Sequence, residues 1–203
     1  MSGNYDKQLA AARESFARQG LAAAAPPLRF LNMPLRIDPH GGEIFLPDGQ
    51  SAPFDIAMTV YDYLFHLQSA PCLSGRWVAH ERLNAVQGGT LRGRLVVSRE
   101  AAGAPFSRRL PALRAACALL GGQEREDGDF ASVLPLVGEL PVYLRFYDAD
   151  DDFPASLQLL WDANTTQFLT YETTWFATGA LLGALHGGEV SAEGGRILTR
   201  PHP

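Results

Sequence analysis

The sequence predicts an α+β fold: an antiparallel sheet of about five strands with three to four helices packed mainly on one face. Two features lead to this fold class. Apolar residues recur at helical spacing in several separate segments, and three extended runs follow one another between residues 130 and 161. Consecutive strands joined by short turns pair in antiparallel fashion, so these three runs are expected to form a meander.

Four segments are predicted to be helical. Residues 5–19 combine good helix formers with spaced apolar residues, and residues 54–68 are expected to form the central buried helix. A third helix is predicted from about residue 107 or 110 to residue 120, and the Gly-Gly pair that follows ends it. The last helix is predicted at residues 170–185, with Thr170 as its N-cap and the Gly-Gly pair that follows as its end.

Extended structure is predicted on both sides of the central helix. Residues 28–37 are expected to pair with the residues that follow a turn at Gly41-Gly42. The meander is predicted to consist of residues 130–137, 140–147 and 155–161. Residues 74–83 lie between glycines and are expected to be an extended piece or a turn and not a helix.

The chain of 203 residues is expected to be a single domain, because no internal repeat or long linker divides it. Residues 187–203 are rich in Gly and Pro and are expected to form a loose tail. No apolar run is long enough to cross a bilayer, and residues 1–16 lack the pattern of a signal peptide. We therefore expect a cytoplasmic protein without a membrane partner.

Charge and motifs narrow the classes of function. The formal net charge of −5 gives no attraction to phosphates, so nucleic acid is not an expected partner. No GxxxxGK[ST], GxGxxG or GxSxG string occurs, so the usual signatures of nucleotide-binding proteins and serine hydrolases are absent. Cys72 and Cys117 lack cluster spacing and are expected to be reduced thiols that bind no cofactor. The identity of any cofactor stays open.

Three segments supply candidate ligand-binding residues, whereas no residue is assigned as catalytic or as a metal ligand. The candidates are Tyr63, His66, Arg76, Trp77, His80, Asp151 and Asp152. Trp offers a stacking surface and Arg a bidentate donor for anions, which is typical of small-molecule sites. We expect the pocket to lie between the central helix and the meander, with the acidic turn near its rim.

Each group of candidates also has a purely structural interpretation. Asp62 and His66 are four residues apart, so the imidazole is either oriented as a base or metal ligand, or is half of an ordinary surface pair. Trp77 either stacks on a ligand or anchors its loop to the core. The acidic residues 148–152 either hold a hard cation or are simply solvated, and Phe153-Pro154 interrupts the spacing of a calcium loop.

Two blocks of the sequence carry a family resemblance. The first block, residues 61–83, reads YDYLFHLQSAPCLSGRWVAHERL, and the second block, residues 133–172, contains Phe153-Pro154-Ala155 and Leu160-Trp161-Asp162. Both blocks resemble the domain-of-unknown-function 3786 family, whose pattern has Phe in place of Trp161 and Pro in place of Thr170. That family is mostly found in anaerobic bacteria and archaea, and some members carry a cysteine-rich iron–sulfur segment that this chain lacks.

The resemblance implies a role beside anaerobic redox or one-carbon proteins that carry iron–sulfur or corrinoid groups. The leading hypothesis is a non-catalytic ligand-binding or accessory domain whose partner is a small molecule or a protein. One alternative is a small hydrolase or lyase with His66 or His80 as its base, assisted by an acidic-turn carboxylate, by Asp62 or by a metal. Another alternative is a homo-oligomeric interaction scaffold, such as a homodimer.

Overall fold

The structure is a computed structural model that describes residues 2–67, 69–83 and 98–191. Its elements form the α+β fold that the sequence predicts. In chain order they are α1 (Ser2–Arg18), α2 (Leu21–Ala24), β1 (Leu28–Phe30), β2 (Met33–Ile37), β3 (Ile44–Phe45), α3 (Phe54–Leu67), β4 (Trp77–Ala79), α4 (His80–Leu83), α5 (Arg99–Gly103), α6 (Leu110–Leu119), β5 (Gln123–Arg125), β6 (Phe130–Val137), β7 (Leu140–Tyr147), β8 (Ser156–Asp162) and α7 (Tyr171–Ser191).

One antiparallel sheet contains the eight strands of the described residues, in the order β3, β2, β1, β6, β7, β8, β4, with β5 also paired to β6. Strands β6, β7 and β8 form the predicted meander, in which Val142 lies opposite Trp161. The expected number of about five strands is too low. The strand that follows the Gly41-Gly42 turn, β3, pairs with β2 as predicted, but residues 28–37 form two strands, β1 and β2, that also pair with each other. The additional strands β4 and β5 have three residues each, which is too short for an alternating pattern to be visible.

Burial along β7 distinguishes the two faces of the sheet. Val142 and Leu144 are fully buried, whereas Arg145 is half-buried and Tyr147 is 45% exposed. Successive side chains of a strand point to opposite faces, so the core lies against the face that carries Val142 and Leu144. Helices α3 and α6 contact β6, and helices α4 and α5 contact β8.

Helix α3 is the central helix that the sequence predicts, and its Tyr63 lies in the core beneath the β6–β7 turn. The Tyr63 side chain is 2% exposed, and its hydroxyl accepts a hydrogen bond from the backbone N–H of Glu139 at 3.0 Å. Gly138 has a φ of +54°, and a Cβ at this position would overlap the Tyr63 hydroxyl. Glycine is therefore required at this turn both by its backbone conformation and by the ring beneath it.

The structure has more helices than the three to four expected, because seven α-helices are present among the described residues. The three helices that were not predicted, α2, α4 and α5, have only four or five residues each. Residues 74–83 are extended at β4, as predicted, but His80–Leu83 is helical, which corrects the expectation for those four residues. A single turn of helix suffices here to bury Leu83, which is 2% exposed.

Helix α7 is longer at its C-terminus than predicted. It continues through Gly187-Gly188 to Ser191, so the glycines do not end it and residues 187–191 are not a loose tail. Glycine inside a helix costs about 1 kcal/mol relative to alanine, which tertiary packing readily offsets. The remainder of the predicted tail, residues 192–203, lies outside the described residues. No described helix, α7 included, combines the length and the apolar character needed to cross a membrane.

We expect Tyr63→Phe to lower the free energy of unfolding by about 1–2 kcal/mol, because the partly buried N–H of Glu139 loses its acceptor. Chemical denaturation followed by tryptophan fluorescence measures the change. Tyr147→Phe is the matched control, since Tyr147 is an exposed tyrosine at the end of β7. If both variants are as stable as the unmodified protein, the hydroxyl has no structural role.

Candidate functional site

A cavity of about 140 Å³ lies between strand β8 and helices α4, α5 and α7. Its walls are mostly apolar and include Trp161 and Trp175. Its lining includes His80, Ala102, Leu157, Trp161, Trp175 and Leu182. A volume of this size matches a ligand of about one six-membered ring.

Helix α5 can form one wall because it approaches β8 very closely. A Cβ at Gly103 would lie 2.8 Å from the Cα of Ser156, so only glycine fits where the helix meets the strand. The start of α5 is fixed by Ser98, whose hydroxyl accepts a hydrogen bond from the N–H of Ala101 at 3.1 Å. Ala102, one residue before the contact with the strand, is thereby placed at the cavity.

The carboxylate of Asp162 fixes the loop that precedes β4. It is 1% exposed and accepts hydrogen bonds from the N–H and the hydroxyl of Ser74 (both 2.9 Å), from the N–H of Gly75 (2.8 Å) and from the N–H of Asn164 (2.8 Å). Burial alone would raise the pKa of Asp162, but these hydrogen bonds outweigh it and hold the pKa below its usual value. The loop is thereby joined to the end of β8.

That attachment positions His80. Trp77 of β4 pairs with Asp162, and the strand ends at Ala79, so the next residue begins α4 at the edge of the cavity. The His80 ring lies among three aromatic rings, with centroids 5.0 Å from Tyr171, 4.1 Å from Trp175 and 5.8 Å from Trp161. The imidazole thus occupies a largely apolar environment beside the cavity.

The hydrogen bonds of His80 fix its tautomer. Its Nε2 lies 2.6 Å from the hydroxyl oxygen of Thr174, and that hydroxyl donates its single hydrogen to the carbonyl of Tyr171 at 2.5 Å. The hydroxyl therefore accepts from His80, and the proton of the neutral ring is on Nε2. The other nitrogen, Nδ1, is buried and has no hydrogen-bond partner among the described residues. Burial lowers the pKa of His80 to about 4, although the nearby Glu81 opposes this shift.

Tyr63 and His66, both on α3, are engaged in contacts away from the cavity. Tyr63 supports the β6–β7 turn described above. The Nδ1–H of His66 donates to the backbone carbonyl of Asp62 at 2.9 Å and lies 3.3 Å from the Asp62 carboxylate. The other oxygen of that carboxylate accepts from the N–H of Thr170 at 2.7 Å, so Asp62 supports the start of α7. Thr170 also caps α7, as predicted, since its hydroxyl accepts from the N–H of Thr173.

The remaining candidates lie on the surface or at the edge of the sheet. Arg76 is exposed, and Trp77 is half-buried with its ring centroid 5.4 Å from that of Tyr143. Asp151 and Asp152 are exposed on a turn whose backbone is held by the carboxylate of a neighbouring aspartate. The described residues contain no group of three or more His, Cys, Asp or Glu side chains placed to hold a metal ion.

Of the seven candidates, only His80 is among the residues that line this cavity. Ligand binding at the other six stays a prediction. Sequence reasoning missed Thr174, which contacts His80, and the cavity residues Ala102, Trp175 and Thr178. A signal for all but Ala102 was available, because Tyr171, Thr174, Trp175, Thr178 and Leu182 follow helical spacing and place two hydroxyls and two aromatic rings on one face of α7.

Comparison with known proteins places the chain in a family. The family model described as Domain of unknown function (DUF3786) matches residues 17–184, a range that contains both blocks and all the cavity residues named above. No curated protein and no solved structure matches the chain. The description of the family names no activity, substrate or cofactor.

We expect Asp162→Asn to destabilise the protein by about 2–3 kcal/mol at neutral pH, because the amide presents an N–H₂ group to backbone donors. The contribution of Asp162 is complete above the ordinary carboxyl pKa of about 4 and is lost as the pH falls through the lowered pKa of the folded state. Thermal unfolding between pH 7 and pH 3 measures this, with the exposed Asp152→Asn as control. A variant as stable as that control at pH 7 would contradict the assignment.

Protonation of His80 should also affect stability. Because its pKa is about 4 when folded and about 6.5 when unfolded, the unfolded chain binds the proton first as the pH falls. Stability from this group is complete above pH 6.5 and decreases between pH 6.5 and 4, by at most about 1.4 kcal/mol per pH unit. His80→Gln should therefore flatten the loss of stability between pH 7 and pH 5, whereas exposed His40→Gln should not. If the free energy of unfolding of the unmodified protein and of both variants decreases equally between pH 7 and pH 5, the prediction is contradicted.

Proposed function

We propose that this chain, which belongs to the domain-of-unknown-function 3786 family, is a non-catalytic domain that binds a small molecule in the cavity beside His80. One observation carries the proposal: apolar walls surround a histidine whose buried Nδ1 has no partner among the described residues. Small-molecule sites typically combine apolar walls with a few polar groups that orient the ligand. The volume of about 140 Å³ favours a ligand the size of a single ring.

The same contacts favour binding over catalysis. A general base works best when its pKa lies near the working pH, and burial lowers the pKa of His80 to about 4. The other candidate base, His66, does not line the cavity, and the carboxylate beside it accepts a hydrogen bond from the backbone at the start of α7. The alternative of a small hydrolase or lyase therefore has weaker support than binding.

The wider biological setting is a separate proposal that rests on the sequence. We propose that the domain acts in the cytoplasm of an anaerobic bacterium or archaeon, beside redox or one-carbon proteins, as the family resemblance implies. A corrinoid is too large for a cavity of about 140 Å³, and none of the described residues that line it is a cysteine that could hold an iron–sulfur cluster, so either group would be held by the partner. Association as a homodimer is a further proposal of this kind.

Two neighbouring alanines of α5 provide a matched test of the cavity. Ala102 lines it, whereas Ala101 is exposed on the same helix. We expect one-ring probes, namely toluene, phenol and imidazole, to include at least one that binds the unmodified protein in saturation-transfer NMR and raises its melting temperature. Ala102→Leu should abolish binding, because the larger side chain fills part of the cavity, and Ala101→Leu should leave it unchanged.

Two results would contradict the proposal. The first is the absence of binding for every probe to the unmodified protein. The second is binding that Ala102→Leu and Ala101→Leu affect equally, since the probe would then occupy another surface. Circular dichroism of both variants establishes that each is folded before the comparison is made.

A further inference from the structure

We propose that the ligand of this cavity is a neutral, ring-sized molecule of the phenol type that donates a hydrogen bond to His80 Nδ1, and that Thr174 sets this preference. The inference rests on the proposed function and specifies its ligand. It follows from the fixed tautomer of His80, from the size and polarity of the cavity, and from the position of the aromatic ring that covers the imidazole.

The tautomer decides the polarity of the ligand group. A neutral imidazole whose proton is held at Nε2 offers only a lone pair at Nδ1, so it accepts hydrogen bonds and cannot donate one. The Thr174 hydroxyl enforces this state, because its own hydrogen is given to the Tyr171 carbonyl. A ligand with a hydroxyl or ring N–H complements Nδ1, whereas a ligand that only accepts does not.

An unpaired Nδ1 also supplies a reason for binding. A buried acceptor without a partner is unfavourable, and a ligand that donates to it recovers that free energy. An apolar ligand of the same shape leaves the cost in place. The cavity should therefore bind phenol more tightly than toluene, although toluene is the more hydrophobic molecule.

The surroundings favour a neutral ligand. Leu157, Trp161 and Leu182 give the cavity apolar walls, where an ion would lose its hydration without compensation. Two exposed side chains of opposite charge, Glu81 and Arg99, also line it, so the charges of this pair give no net preference for anions or cations. A phenol remains uncharged at neutral pH because the ordinary pKa of a phenolic hydroxyl is about 10.

Access to Nδ1 requires the movement of one neighbouring ring. The nitrogen exposes almost no surface, so a donor reaches it only when part of the wall shifts. Trp175 both lines the cavity and contacts the imidazole edge-on, and it is only half-buried. We therefore expect binding to change tryptophan fluorescence, with Trp175 as the main reporter. Trp175→Phe should remove most of that change.

The decisive experiment compares phenol with toluene on three proteins, by ligand-observed NMR titration. The unmodified protein should bind phenol about tenfold more tightly than toluene, which corresponds to about one hydrogen bond. In Thr174→Val the imidazole is free to exchange tautomers, so we expect this preference to disappear or reverse. Thr178→Val is the control, because Thr178 also lines the cavity and its hydroxyl donates to the Thr174 carbonyl and not to His80. It should keep the preference.

The outcomes separate this inference from the proposed function. If the unmodified protein binds phenol and toluene equally tightly and Ala102→Leu abolishes both, the inference is overturned and the binding function stays intact. Failure of phenol and toluene to bind overturns the inference, and failure of imidazole to bind as well overturns the proposed function. A loss of preference in Thr178→Val equal to that in Thr174→Val removes the role of Thr174. If Thr174→Val does not fold, Thr174→Ser is measured in its place. Serine retains the hydroxyl, so this variant should keep the preference for phenol. A loss of that preference in Thr174→Ser contradicts the inference.

Discussion

The buried carboxylate of Asp162 is the interaction on which the arrangement of the site depends. A carboxylate that is 1% exposed is tolerated only if donors surround it, and Ser74, Gly75 and Asn164 provide four hydrogen bonds. The residues around Ser74 and Gly75 have no regular structure of their own, so this carboxylate determines where the chain enters β4. The position of His80 follows, because the histidine comes directly after that strand. Asp162 is also the last residue of the Leu-Trp-Asp triplet of the second block, so the family pattern at this position has a structural explanation.

Asp62 makes the reciprocal contact from the first block to the second. Its carboxylate accepts from the N–H of Thr170, where α7 begins, while the Asp162 carboxylate accepts from the loop of the first block. Each block thus contributes one acid that satisfies backbone donors of the other. Helix α7 in turn carries Thr174, which orients His80. Asp162 therefore positions the His80 imidazole, and Asp62 positions the helix whose Thr174 hydroxyl contacts that imidazole. The cavity lies beside this contact.

The sequence predicted the long elements and missed several short ones, namely α2, α4, α5 and β5, for a physical reason. Strands β6–β8 and helix α3 are long enough for apolar spacing to reveal them, whereas the four residues of α4 and the three of β5 are too few to show a period. The site was less predictable than the fold. His80 could be named from its residue type, but its tautomer depends on Thr174, which is 94 positions away. The spacing of Asp62 and His66 correctly indicated that their side chains lie close together. It could not indicate that the Asp62 carboxylate also accepts a hydrogen bond from the backbone N–H of Thr170.

The separation between these contacts along the chain constrains how the protein acquires its structure during synthesis. The hydrogen bonds from Ser74 to Asp162, from Thr174 to His80 and from Thr170 to Asp62 span 88, 94 and 108 positions. When the ribosome has released only the first half of the chain, the Asp62 carboxylate and the loop before β4 have no partners, and the loop has no native conformation to hold. Contacts of such long range form slowly, since much of the chain must be ordered before any of them is made. The nascent first half therefore stays incompletely folded until residues 162–174 have been synthesised.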